Sequence, residues 1–188
     1  MNTLYIIGGS PRCGKTTIFN SFINKKPMIG IPTDAIRAGV RYLNKHNRIN
    51  FSEEEIENNL PWEMILGLIH RYDHKNIPLI IEGVVITPER VKNLKLKNLK
   101  LKAVFVGFTE EAHIEKIIQQ GQTDKDWVYD HIANNNGDDT EVRKMFKDLQ
   151  EKNKLTKEKA EEYGYSFFSP EGLPFDEYCD KVVKNLLS

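Results

Sequence analysis

The chain has 188 residues, of which 39% are hydrophobic and 29% charged, a size and balance that suit one soluble domain with a sizeable core. Lys+Arg and Asp+Glu both number 27, so no global field draws the chain to nucleic acid or an anionic membrane. No apolar run approaches the roughly 20 residues of a membrane span, and the first strand begins too early to leave room for a signal peptide, so a cytoplasmic location is expected.

Residues 3–8 open the chain as an apolar run rich in strand formers. Residues 9–16 then read Gly-Ser-Pro-Arg-Cys-Gly-Lys-Thr, which fills every fixed position of G-x-x-x-x-G-K-[ST]. A helix is predicted from Thr16 to Ile23. Strand, glycine loop and helix in that order let successive backbone N–H groups curl around a phosphate, with the positive end of the helix behind them. Gly9, Ser10, Pro11, Arg12, Cys13, Gly14, Lys15, Thr16 and Thr17 are the expected nucleotide-binding residues. Lys15 reaches the β- and γ-phosphates and the Thr16 hydroxyl holds Mg²⁺. Cys13 reads as a small residue at a variable loop position rather than a redox thiol. Its distance in sequence from Cys179, the other cysteine, argues against a structural disulfide.

A short second strand is predicted around residues 28–31, and Thr33 or Asp34 is expected to cap a helix through Leu43. Ser52-Glu53-Glu54-Glu55 is a capping box that opens another helical stretch. Pro61 is expected to start a new helix to His74, with Trp62, Ile65, Leu66 and Ile69 on one face. The third strand, residues 78–83, is apolar and therefore central, and it ends in Glu82-Gly83. Thr87 caps a short helix, and the Lys- and Leu-rich residues 92–102 are expected to form an amphipathic helix running into the fourth strand, residues 101–108. Thr109 is expected to cap a helix to about Gln120. Residues 120–147 carry two polar, turn-rich segments around Trp127 and Tyr129, which stack on a base, line the acceptor pocket or pack the segment itself; this is where a lid is expected. A long helix to Tyr163, a stop at Gly164, a fifth strand at 165–168 and a last helix from Pro174 complete a single domain, residues 1–188.

Two acids stand where ligands bind in open α/β sheets, beyond the carboxyl ends of strands. Asp34 follows strand two and is placed to take a proton from an acceptor hydroxyl, with Arg37 one helical turn on to grip an anionic group. Glu82 ends an apolar strand, the arrangement of an acid that completes a Mg²⁺ shell.

Residues 8–16, Thr33-Asp34-Ala35-Ile36-Arg37 and Ile80-Ile81-Glu82-Gly83 together resemble the small P-loop kinases of the nucleoside/nucleotide-kinase, adenylate-kinase-like group. The nearest likeness is to 2-phosphoglycerate kinase, zeta toxin and chloramphenicol phosphotransferase. The resemblance implies a three-layer α/β fold with a five-stranded parallel sheet, order 2-3-1-4-5, and a helical lid whose arginines touch the ATP phosphates. The chain departs from adenylate kinase after strand three, where Glu82-Gly83-Val84-Val85-Ile86 replaces Asp-Gly-Phe/Tyr-Pro-Arg. Arg143 is the one arginine between Arg90 and the C-terminus, so it is the lid candidate, with Lys144 and Lys147 as further cations and Arg12 as a substitute in cis.

These readings converge on a Mg²⁺- and ATP-dependent transfer of the γ-phosphoryl group to a small-molecule hydroxyl or phosphate, by a monomer or homodimer. The catalytic set is Lys15, Asp34, Arg37 and Arg143, and the metal set is Thr16 and Glu82. The competing reading is a nucleotide-hydrolysing regulator without a small-molecule acceptor. The guanine signature Asn-Lys-x-Asp is missing at Asn24-Lys25-Lys26-Pro27 and Asn44-Lys45-His46-Asn47.

Overall fold

In the opening strand β1 (Thr3–Gly9) alternate side chains point to opposite faces. Tyr5 and Ile7 enter one hydrophobic cluster and Leu4 and Ile6 the other, so both faces of the sheet must be covered. The computed structural model describes residues 1–124, 127–134 and 137–188, with the backbone alone at 122–124, 127, 129 and 131. β1 pairs in parallel with β3 (Leu79–Gly83) on one side and β4 (Lys100–Val106) on the other. β2 (Ile29–Pro32) and β5 (Ser166–Phe168) complete the five-stranded sheet, order β2-β3-β1-β4-β5.

Among the described residues the α-helices are α1 (Lys15–Lys25), α2 (Thr33–Lys45), α3 (Leu60–His74), α4 (Pro88–Lys92), α5 (Glu111–Asp124), α6 (Trp127–Asn134), α7 (Thr140–Glu162) and α8 (Phe175–Leu187). One layer buries Ile18, Phe19 and Phe22 of α1 with Tyr178, Val182 and Val183 of α8 and Ile114, Ile117 and Ile118 of α5. The opposite layer buries Trp62, Ile65 and Ile69 of α3 with Val91 of α4. The apolar face predicted for α3 is thus the face that packs. The long α7 serves both layers, with Phe146 in the first cluster and Ala160 in the second.

Several local expectations change in three dimensions. The helix at Pro61 is not a new one. The capping box forms, with Glu55 N–H donating to Ser52 Oγ (3.3 Å) and Ser52 N–H to Glu55 Oε2 (2.9 Å). The chain then runs without a break through a π-helical segment, Glu55–Asn59, into α3. Pro61 directly follows the π-helical segment, at the start of α3. Thr33 does not cap α2: the cap position is Pro32, and the fully buried Thr33 hydroxyl has no hydrogen-bond partner. Thr109 donates its hydroxyl to Glu171 Oε2 (3.0 Å) instead of capping α5, which continues to Asp124. The amphipathic helix expected across residues 92–102 does not form. The N–H groups of Lys97, Asn98 and Leu99 donate to the buried Asp73 carboxylate at 2.9, 2.9 and 2.8 Å, so they are withdrawn from any helical ladder.

Candidate active site

The carboxyl ends of β1, β2 and β3 meet at one edge of the sheet, and the glycine loop leaves β1 there. Gly9 turns the chain out of the strand at φ 126°, and a Cβ at this position would lie 1.9 Å from Val106 O of the neighbouring strand. Glycine is therefore the residue that fits. Ser10 N–H donates to the same Val106 carbonyl (3.0 Å), and its hydroxyl donates to Asn153 Oδ1 (2.6 Å). Arg12 and Gly14 both take left-handed conformations, φ 62° and 75°. The first helical bond of α1 runs from Ile18 N–H to Gly14 O (2.9 Å), and no side chain caps the helix. The amides of Lys15, Thr16 and Thr17 therefore have no intrahelical acceptor and face the loop as a preformed anion cradle. Nucleotide phosphates fit this donor set.

Lys15 is 7% exposed, and its Nζ donates to Ser10 O (2.6 Å), folding back over the loop. Burial lowers its pKa, while the charges of Glu82 and Asp34 oppose that shift and Arg37 adds to it. Glu82 is 3% exposed at the end of β3. Burial raises its pKa, Lys15 pulls it back, Asp34 pushes it up, and a hydrogen bond from the Thr16 side chain stabilises the carboxylate. The Thr16 hydroxyl and Glu82 carboxylate thus share one neighbourhood, two hard oxygen donors beside a phosphate cradle. This donor set fits Mg²⁺, which takes few protein ligands and completes its shell with phosphate and water. Gly83 lets β2 and β3 close up here, because a Cβ on it would lie 1.6 Å from Thr33 Oγ1.

Asp34 opens α2 with its side chain 65% exposed, and its Oδ1 accepts from Arg37 Nη1 (3.0 Å). Arg37 also donates to Glu57, and Arg41 forks onto the same carboxylate through Nε and Nη2. Lys15, Glu82, Asp34 and Arg37 therefore form one electrostatic neighbourhood. Arg143 stands apart from it, on α7, ion-paired to Asp139 (2.8 Å) and to Glu115 of α5. Lys147, beside it, pairs with Glu111 (2.9 Å), and Lys144 is exposed. Lys125, Asp126, Asn135, Asn136 and the side chains of Trp127 and Tyr129 lie outside the described residues, so the structure says nothing of their expected part in a lid.

Two clefts flank the loop. One of about 340 Å³ lies against Gly9, Ser10 and Pro11, walled by Val84, Ile86, Thr87 and Glu89 after β3 and by Leu149, Lys152, Asn153, Leu155 and Thr156 of α7. The other, of about 280 Å³, lies against Arg12 and Gly14, with His113, Lys116, Gln120, Pro170 and Phe175 around it. Burial keeps the His113 imidazole below its usual pKa. The Cys13 thiol is pushed up to about 12 and that of Cys179 to about 11, both by burial, which keeps both thiols protonated and unreactive.

Glu57, Arg41, Lys152 and Asn153 are absent from the residues that sequence reasoning singled out. Arg41 carried a usable signal, because it is four residues from Arg37 and so on the same helical face. The other three reach the site only through tertiary packing.

No family model matches the chain, and no curated protein matches it in sequence. Solved structures do match over its full length. A shikimate kinase from Bacteroides thetaiotaomicron superposes with a TM-score of 0.63 at 15% identity, covering 99% of each chain. A gluconokinase from Sinorhizobium meliloti gives 0.54 at 11% identity, covering 99% of this chain and 91% of that one. A dephospho-CoA kinase from Campylobacter jejuni gives 0.51 at 17% identity over 99% and 98%. The chain has the fold of the small P-loop kinases, as its motifs suggested. Among the described residues no helix is long and apolar enough to cross a membrane.

Proposed function

We propose that the chain is a phosphotransferase that moves the γ-phosphoryl group of ATP to a hydroxyl or phosphate on a small molecule. One observation carries this reading. Three strand ends bring a phosphate-loop lysine, a metal-type carboxylate, an exposed Asp and an Arg into one electrostatic neighbourhood. A nucleotide-binding module needs the lysine and the loop. It does not need an exposed carboxylate at the end of β2 with a guanidinium 3.0 Å away.

In this reading Gly9, Ser10, Pro11, Arg12, Cys13, Gly14, Lys15, Thr16 and Thr17 hold the nucleotide, and Thr16 and Glu82 hold Mg²⁺. When bound there, the metal ion would supply positive charge against the nucleotide phosphates. Lys15 leaves the Ser10 carbonyl for the transferring phosphoryl oxygens, stabilising charge as it develops. Asp34 accepts the proton of the acceptor hydroxyl, and Arg37 orients the acceptor. The cleft against Gly9, Ser10 and Pro11 takes the acceptor body, with Val84, Ile86 and Leu149 giving an apolar wall and Lys152 a cation at its rim. Residues 120–147 close over the site to exclude water, the competing acceptor. For Arg143 to reach phosphate it must exchange both Asp139 and Glu115 for the nucleotide, so its contribution depends on that closure.

The test is ATP turnover across a panel of phosphorylated acids, sugars, nucleosides and nucleotides. One acceptor is expected to raise ADP release well above the acceptor-free rate. Asp34→Ala should remove that gain by about 100-fold or more while ATP still binds. Hydrolysis that no acceptor stimulates and that survives Asp34→Ala would favour the regulatory reading instead.

A further inference from the structure

Arg37 and Arg41 are one helical turn apart on α2, two like charges on one face that repel unless an anion lies between them. Glu57 supplies that anion. Its carboxylate takes Nη2 of Arg37 and the Nε/Nη2 fork of Arg41 together, the bidentate geometry with which guanidinium groups hold carboxylate and phosphate. Arg41, then burial in the opposite sense, then Arg37 set its pKa, and the result is a carboxyl held below its usual value. Three features mark this as more than a surface ion pair. Arg37 is only 19% exposed, and its Nε is buried with no hydrogen-bond partner, so the guanidinium is incompletely satisfied. Its Nη1 also donates to Asp34 (3.0 Å), and its charge acts on Lys15. Glu57 itself sits on the π-helical segment Glu55–Asn59, an irregularity of the helical ladder of the kind frequent at functional sites.

The geometry points to an anionic acceptor whose oxyanion group, a carboxylate or a phosphate, binds between Arg37 and Arg41 by displacing Glu57, which holds the two arginines in place until substrate arrives. This rests on the kinase reading for the word acceptor; the anion site itself does not. Displacement preserves the charge balance, because one anion replaces another. It leaves Arg37 oriented toward Asp34 and frees the π-helical segment to move with Glu57. A neutral acceptor cannot make the exchange, since it would leave two guanidiniums facing each other with no counter-charge.

The test uses the Lys15→Ala chain, in which the phosphate loop keeps its amides but has lost its lysine and so competes less for anions, titrated calorimetrically with inorganic phosphate and, separately, with acetate. Adding Glu57→Gln should tighten anion binding about tenfold, because the internal competitor has lost its charge. Adding Arg41→Gln as well should cancel the gain. Response to phosphate alone identifies a phosphorylated acceptor, and response to acetate identifies a carboxylic acid. Unchanged or weaker binding in Glu57→Gln would make Glu57 a strut for Arg37 and overturn the proposal, as would a gain that survives Arg41→Gln. With Glu57 intact, the Nε–Hε resonances of Arg37 and Arg41 should shift as phosphate is added to Lys15→Ala, and their failure to move would equally overturn it. ATP titration of the unaltered chain separates the two readings, since loss of nucleotide binding removes the kinase but not the anion site.

Discussion

At the scale of single residues, the site keeps charges where the fold would be more stable without them. Glu82 lies at the end of an apolar strand, and burial raises its pKa even though Lys15 and the Thr16 hydroxyl both favour its charge. A raised carboxyl pKa means that the folded chain binds a proton more readily than the unfolded one. Stability therefore falls as pH rises from the unfolded pKa of about 4.5 through the folded value, and the deficit persists above it. Glu82→Gln removes that loss, and the shift already includes the attraction of Lys15. The substitution should raise the melting temperature at neutral pH by about 2–4 °C, the effect of about 1 kcal/mol on a chain of this size, and should flatten the stability profile above pH 5. The same change should weaken Mg²⁺-dependent nucleotide binding. Thermal melts from pH 4 to 8 with and without Mg²⁺-ATP check both effects, and a destabilised variant would mean that Glu82 is a structural anion.

At the scale of elements, hydrophobic periodicity located the strands and most helices, but hydrogen bonds from distant side chains decided where helices stop. Residues 92–102 carry Leu and Lys at spacing that suits a helix. Asp73, at the end of α3 and 5% exposed, instead gathers the amides of Lys97, Asn98 and Leu99 and fixes the approach to β4. Burial would raise the Asp73 pKa, but the three amide bonds outweigh it and the net shift is downward. The stabilisation from Asp73 is accordingly complete above its unfolded pKa of about 3.8 and is lost as pH falls through the folded value. Asp73→Asn should cost about 3 kcal/mol, because an uncharged amide oxygen replaces a carboxylate that satisfies three backbone donors, one of them buried. Urea denaturation at pH 7 and pH 3 checks this, with the difference between the two proteins shrinking at the lower pH. The π-helical segment is the complementary case. The capping box at Ser52 and the proline at Pro61 were both legible and both real, yet neither revealed that the helix runs on between them.

At the scale of the whole molecule, α7 is the element that ties the Arg143 ion pairs to the phosphate loop. It begins beside the Arg143 ion pairs, passes the loop at Asn153 and ends in the opposite layer at Ala160. Asn153 is 2% exposed, accepts the Ser10 hydroxyl and donates Nδ2 to Phe108 O (2.9 Å), so it joins α7 to the loop after β1 and to the end of β4. Asn153→Ala should destabilise the fold by about 2–3 kcal/mol, because it leaves buried partners unpaired. In a double-mutant cycle with Ser10→Ala, measured by chemical denaturation, the two changes should be non-additive by about 1 kcal/mol. The sequence by itself determined the phosphate loop, the parallel α/β class and the acids at the ends of β2 and β3. These rest on local pattern: backbone geometry that glycine permits, alternation of apolar side chains, and chemistry carried within a few adjacent residues. Only the tertiary structure decided that Arg37 shares a carboxylate with Arg41 across to Glu57, that Asp73 organises residues 97–99, and that Asn153 braces the loop. Each of these pairs residues 16 to 143 positions apart, and buried polar groups find their partners through the packing of the sheet and helices rather than through spacing along the chain.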